Sequence, residues 1–197
     1  MKEFHRLTAR VAVLDRVDVD TDQIIPKQFL KRIERTGYGE YLFYDWIKDP
    51  GFELRRDEYE GAKILLAGRN FGCGSSREHA AWALQDYGFD VVIAPSFGDI
   101  FRTNALKIGL LPVALASDRV RALIAACADG ASLTVDLEEQ QVVAPDGSVM
   151  EFELDPFSRE CLLHGLDDIA LTLQRVDEIA QYEASHSAPV DTTALAV

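Results

Sequence analysis

Cysteine is scarce in this chain of 197 residues: Cys73, Cys127 and Cys161 are the full set. They are odd in number, far apart and without a C-x-x-C pair, which excludes a disulfide framework and points to a reducing compartment. An iron–sulfur cluster takes about four cysteines at motif spacing, and these three do not supply that. Positive charge is also short. Lys and Arg number 20 against 33 Asp and Glu, a net charge of −13, which argues against nucleic-acid or anionic-membrane binding. No run approaches the roughly 18–20 apolar residues of a membrane helix. The first residues do not read as a basic leader followed by an apolar core. The chain is therefore expected to be cytoplasmic.

What is present suits a substantial core, because 48% of the residues are apolar. With no internal repeat and no linker-like stretch, residues 1–183 read as one domain. The small polar residues 184–197 read as a disordered tail. Residues 7–14 alternate and then run apolar, as a strand does. The acidic stretch 16–26, ending at Pro26, reads as a loop. Residues 27–36 suit a short helix with Phe29, Leu30 and Ile33 inward, ended by Gly37 and Gly39. Residues 37–60 mix aromatics with charge and show no period. They suit an ordered loop, or a surface for a partner.

From residue 62 the pattern is clearer. The run 62–67 reads as a buried strand, 75–87 as a helix closed by Gly88, and 91–94 as a second buried strand. That is a βαβ unit and implies parallel pairing. A helix over 97–108, a strand over 110–115 and a helix over 118–128 follow. Short alternating strands at 132–137, 140–144 and 149–154 suggest antiparallel structure, and 157–183 carries a helical pattern broken at Gly165. The fold class is α/β.

The segment with chemical content is 68–84, GRNFGCGSSREHAAWAL. Gly68, Gly72 and Gly74 lie between a strand and a helix, where glycine permits positive φ and close approach of a ligand. Ser75 and Glu78 have capping-box spacing. A helix N-terminus with Arg77 beside it suits a carboxylate or a phosphate. The plain alternative is a glycine-rich turn into an ordinarily capped helix. No P-loop is present, and the third glycine of a dinucleotide fingerprint is missing. Ser75 and His79 are four apart on one helix without a G-x-S-x-G elbow, which makes a poor nucleophile pair. His5, His164 and His186 have no partners at metal spacing.

The whole string is more specific than its parts. FGCGSSREHAAWAL resembles the signature of the aconitase-superfamily swivelling domain. SFGDIFRTNALKIGLLPV at 96–113 and DVDTDQIIP at 18–26 resemble two further stretches of that family, in the same order. With GLDDIALTL at 165–173, the chain resembles the family of bacterial small subunits of 3-isopropylmalate dehydratase over nearly its whole length. The resemblance implies a swivelling β/β/α domain with a central mixed or parallel sheet flanked by helices. It implies a hydro-lyase of leucine biosynthesis that interconverts 2- and 3-isopropylmalate by dehydration and rehydration. It also implies a large partner subunit bearing a [4Fe–4S] cluster, no cofactor on this chain, and a small dicarboxylate substrate.

By the same resemblance Ser75 is the base that removes a carbon-bound proton. Arg77 holds a substrate carboxylate, helped by Ser76 and the backbone at Gly74. Asp22 either reaches the site or only shapes its own turn. Leu30, Lys31, Arg32 and Ile33 belong to a loop at 29–39 that reads the substrate. Glu78 is expected to cap the helix, His79 to pack near its start, and Cys73 to pack without binding metal. Asn104 and Lys107 are expected to be structural. Two other readings stand beside this one: a sibling hydro-lyase for homoaconitate, citraconate or dimethylmalate, and a non-catalytic module that binds a dicarboxylate alone.

Overall fold

Strand β1 (Arg6–Leu14) is the seam of the fold. Its first half, Arg6–Arg10, alternates outward and inward and pairs antiparallel with β5 (Ser132–Asp136). Its second half, Val11–Leu14, is wholly buried and pairs parallel with β2 (Ile64–Ala67). The sequence dictates this change. RLTAR alternates, which suits a sheet with one wet face, whereas VAVL is continuous, which suits a sheet covered on both faces.

The parallel half continues through β3 (Val91–Ala94) and β4 (Leu111–Ala114). The antiparallel half continues through β6 (Gln141–Val143) and β7 (Val149–Glu151). The resulting mixed sheet runs β4-β3-β2-β1-β5-β6-β7. The structure, a computed structural model, describes residues 1–31 and 36–186.

The helices are α1 (Thr21–Ile24), α2 (Glu78–Tyr87), α3 (Asp99–Ile108), α4 (Ser117–Ala126), α5 (Pro156–Leu163), α6 (Asp168–Leu173) and α7 (Val176–Ser185). The buried face of α2 is Ala80, Ala81, Ala83 and Leu84, small enough for a close approach. Helix α4 packs over β2 and β3 through the buried Val120 and Leu123. Gly88 and Gly109 end α2 and α3 at positive φ, as C-cap glycines do.

Three expectations are corrected. Part of the acidic stretch read as loop is a one-turn helix, α1, because Asp20 and Gln23 make a capping box there. The expected helix at 27–36 is a 3₁₀ turn over Lys27–Lys31; its remainder includes residues 32–35, outside the described residues. The C-terminal helical stretch breaks twice, at Gly165 and again between α6 and α7. Helix α7 ends at Ser185, and most of the expected tail at 184–197, residues 187–197, lies outside the described residues.

The aperiodic segment 37–60 sends six side chains into the core and leaves half of its residues exposed. It runs as turns and short 3₁₀ pieces that bury Tyr38, Leu42, Phe43, Phe52, Leu54 and Tyr59. Arg16 fastens it, donating through Nε and Nη2 to both oxygens of Glu53 at 3.0 and 2.9 Å. The same guanidinium lies 4.4 Å over the Trp46 ring. The Tyr59 hydroxyl donates to the Ala128 carbonyl at 3.0 Å. The aromatic content that suggested a partner surface belongs mainly to the interior.

Candidate active site

Three loops meet beyond the C-terminal ends of β1, β2 and β3, where open parallel sheets place their ligands. The β2 loop carries the motif. Gly68 brings it against the β1 loop so closely that a Cβ there would lie 2.3 Å from the Arg16 carbonyl oxygen. Val19 then accepts from the amides of Gly72 and Cys73, at 2.8 and 3.3 Å. The Thr21 amide donates to the Cys73 carbonyl at 2.9 Å, and the Thr21 hydroxyl to the Ser75 carbonyl at 2.9 Å.

On the other side Ser96 holds the motif. Its hydroxyl accepts from the Asn70 amide at 2.9 Å and its carbonyl from the Phe71 amide at 3.0 Å. Phe71 in turn accepts from the Gly98 amide at 2.9 Å. The Asn70 side chain donates to Asp18 at 2.9 Å. The three stretches that carried the family resemblance, 18–26, 68–84 and 96–113, are thus laced together by short hydrogen bonds.

Within this frame Gly74, Ser75 and Ser76 are exposed, and Arg77 is mostly covered, its side chain 17% exposed. Arg77 donates through Nη1 to Oδ1 of Asp22, whose side chain is 50% exposed. Asp22 therefore contacts Arg77 as well as lying in its own turn. The expected capping box of Ser75 and Glu78 is absent. Helix α2 begins at Glu78, with Arg77 in the N-cap position, extended, and without a side-chain cap. Gly72 and Gly74 at positive φ, and the Thr21 grip on the Ser75 carbonyl, keep Ser75 out of the helix. Tertiary bonds override the local signal, and Glu78 is an exposed first-turn residue.

His79 packs as expected, its ring 5.2 Å from Tyr38 and 4.7 Å from Trp82. Burial holds its pKa below the ordinary histidine value. In the loop expected to read the substrate, Leu30 is half-buried and Lys31 is exposed, while Arg32 and Ile33 lie outside the described residues. Phe29 beside them stacks on Tyr41, ring centres 4.1 Å apart.

The donor set does not fit a metal cluster. No group of three or more His, Cys, Asp or Glu that could hold a metal ion occurs among the described residues. Cys73 sits in the motif loop, Cys127 ends α4 and Cys161 lies within α5. Burial raises all three thiol pKa values, that of Cys127 to about 11, which disfavours the thiolate that metals bind.

Sequence reasoning matched Thr21 to the family's 18–26 stretch without giving it a role, and did not single out Ser96. The signal for Thr21 was the capping box around it, Asp20 to Gln23. Ser96 carried no local signal beyond its place in a resembling stretch.

A mixed sheet with helices on its parallel half, and a glycine-rich Ser-Ser-Arg loop gripped by its neighbours, define an aconitase-type swivelling domain. Family models agree. The aconitase C-terminal domain matches residues 1–118, LeuD_N matches 121–156, and the C-terminal domain of the 3-isopropylmalate dehydratase small subunit matches 168–188. The 3-isopropylmalate dehydratase small subunit of Acidobacterium capsulatum is 57% identical over 188 residues, covering 94% of this chain and 91% of that one. Its namesake in Bacillus subtilis is 53% identical over 187 residues, covering 91% and 94%. The crystal structure of 3-isopropylmalate dehydratase (leuD) from Methanocaldococcus jannaschii superposes with a TM-score of 0.69 at 29% identity, covering 89% of this chain and 99% of that one. The chain belongs to the family of 3-isopropylmalate dehydratase small subunits.

Proposed function

We propose that this chain is the small subunit of a hydro-lyase that interconverts 2- and 3-isopropylmalate in leucine biosynthesis, and that Ser75 and Arg77 act on the substrate. The observation that carries the reading is the convergence of three loops on an exposed Ser75–Ser76 pair with Arg77 beside it. In the dehydration half, the Ser75 oxygen takes the proton from the carbon next to the one bearing the hydroxyl. The C–H electron pair becomes the alkene bond as the hydroxyl departs with its own electrons. Rehydration returns a proton to one carbon and hydroxyl to the other, with positions exchanged.

A serine is a weak base unless its oxyanion is stabilised. The N-terminus of α2, three residues on and free of a side-chain cap, supplies a positive end for that purpose. Arg77 offers a planar fork to a substrate carboxylate. Ser76 and the backbone at Gly74 add donors within the same exposed turn. Leu30 and Lys31, with Arg32 and Ile33, form the segment assigned to reading the substrate side chain.

The large subunit is the partner, and a [4Fe–4S] cluster on it would supply the Lewis acid that draws off the hydroxyl. No helix among the described residues is long and apolar enough to cross a membrane. A cytoplasmic location completes the reading.

The test is reconstitution. The purified chain and the cluster-loaded large subunit are mixed anaerobically, and the alkene intermediate is followed by absorbance. Turnover of isopropylmalate by the mixture alone is expected. Turnover of homoaconitate, citraconate or dimethylmalate instead would rename the substrate. Binding of a dicarboxylate by this chain alone, without turnover of any of these acids by the mixture, would make it a binding module.

A further inference from the structure

Among the described residues, tyrosines aside, Thr21, 1% exposed, is the buried polar side chain in an otherwise apolar interior. A buried hydroxyl is unfavourable unless it is hydrogen-bonded. This one donates at 2.9 Å to the carbonyl of Ser75. The Thr21 amide donates at 2.9 Å to the carbonyl of Cys73. One residue therefore grips the two peptide planes that bracket Gly74 and Ser75.

Those planes need a grip. Gly74 sits at φ +89°, in a region where glycine moves freely. Ser75 and Ser76 are exposed, and no helical bond holds them because α2 starts only at Glu78. The Thr21 amide fixes the plane before Gly74. The hydroxyl fixes the plane after Ser75, so the pair together set the direction of the Ser75 side chain. Thr21 itself is well anchored: α1 is closed by its capping box, and Ile24 and Ile25 behind it are fully buried.

We infer that Thr21 is a positioning residue for Ser75, its hydroxyl setting through the Ser75 carbonyl the place from which the Ser75 oxygen meets the substrate. This rests on the base role given to Ser75 above. It places the specificity of the grip in a hydroxyl, which valine lacks at nearly the same volume, and not in packing.

The experiment compares Thr21→Val and Thr21→Ser in the full chain, assembled with the large subunit. In Thr21→Val, kcat falls about 10- to 100-fold, the scale of a misplacement of about 1 Å. KM changes less than kcat, because Arg77 keeps its own pair with Asp22. Thr21→Ser restores kcat to within about three-fold of the parent. A second readout needs no activity: in the isolated chain, hydrogen exchange of the amides at positions 21, 72 and 73, whose bonds lace the loop, quickens in Thr21→Val and not in Thr21→Ser. Should Thr21→Val fail to fold, Thr21→Ala carries the same expectation.

Parent-like kcat and exchange in the valine variant would overturn the inference. So would a serine variant as impaired as the valine one, since the methyl group would then be what matters. If the parent assembly turns over none of the acids, the base role of Ser75 falls, and the exchange data still decide whether Thr21 holds the loop.

Discussion

Arg77 and Asp22, 55 residues apart in sequence, are joined by a hydrogen-bonded ion pair from Nη1 to Oδ1. The guanidinium is largely covered and the carboxylate half exposed. Arg77 is thus held in place before any substrate arrives, with other N–H groups of its fork available to a second carboxylate. Replacing it by lysine keeps the charge and loses the fork. Arg77→Lys should raise KM about ten-fold or more, as expected for losing a charge-assisted hydrogen bond worth about 1.5–3 kcal/mol. Steady-state kinetics of the assembled enzyme check this, and an unchanged KM would remove Arg77 from the substrate. Asp22→Asn should shift stability by no more than about 1 kcal/mol, because a half-exposed pair is screened by solvent.

Ser75→Ala removes a hydroxyl from an exposed residue whose carbonyl, not its side chain, is what Thr21 holds. Stability and assembly should therefore be unchanged. Turnover should drop about 10²- to 10⁴-fold, the usual contribution of a proton-transferring group. Thermal melting and kcat, measured on the same preparation, separate the two effects. Retained turnover would refute the base role.

Gly72→Ala tests the loop backbone. Gly72 has φ +72°, and a Cβ there would lie 2.2 Å from Cγ of Phe101. A non-glycine residue in that region costs about 1–3 kcal/mol before any clash is counted. Phe101 is buried and stacks edge-on against Phe71, so it has little room to yield. The unfolding free energy from denaturant titration should fall by at least that amount, lowering the midpoint, and activity with it. A midpoint equal to the parent's would show that the loop relaxes without cost.

The pH dependence of stability has a definite sign. Burial lowers the His79 pKa in the folded chain, so the unfolded chain binds the proton more readily. The His79 contribution is complete above the ordinary histidine value and is lost as pH falls from there through the lowered folded value. Between about pH 7 and pH 5, the parent should lose more stability than His79→Gln does. Asp155, whose carboxyl is held low by its hydrogen bonds to Ser158, loses its contribution only in the lower carboxylate range. Melting curves across that interval decide the matter, and parallel slopes would show that His79 is not desolvated enough to count.

Much of the fold was legible because its signals are local. Strands β2 and β3 are unbroken apolar runs, and Gly88 stands where α2 ends. The misreadings arose where a local rule had a tertiary competitor. Ser75 and Glu78 have capping-box spacing, yet Thr21 takes the Ser75 carbonyl and the helix starts later. The capping box that forms is Asp20 with Gln23, inside a stretch whose acidity suggested loop. Residues 37–60 have no period because turns and 3₁₀ pieces impose none, and their burial depends on partners such as Arg16 and Glu53. At the site, the motif residues were legible as a string. The pairing of Arg77 with Asp22 and the grip of Thr21 were not, since neither has a sequence period.

The lacing of the motif loop to Val19 and Thr21 also has a consequence for how the protein comes into being. Those bonds span about fifty positions, and they can close only after β1 and β2 have paired in register. Contacts of such separation are slow to form, because the loop entropy between them must be lost first. A chain still emerging from the ribosome, or one with its strands slipped by a residue, possesses Ser75 without its setting. Competence for the reaction therefore reports that folding is finished.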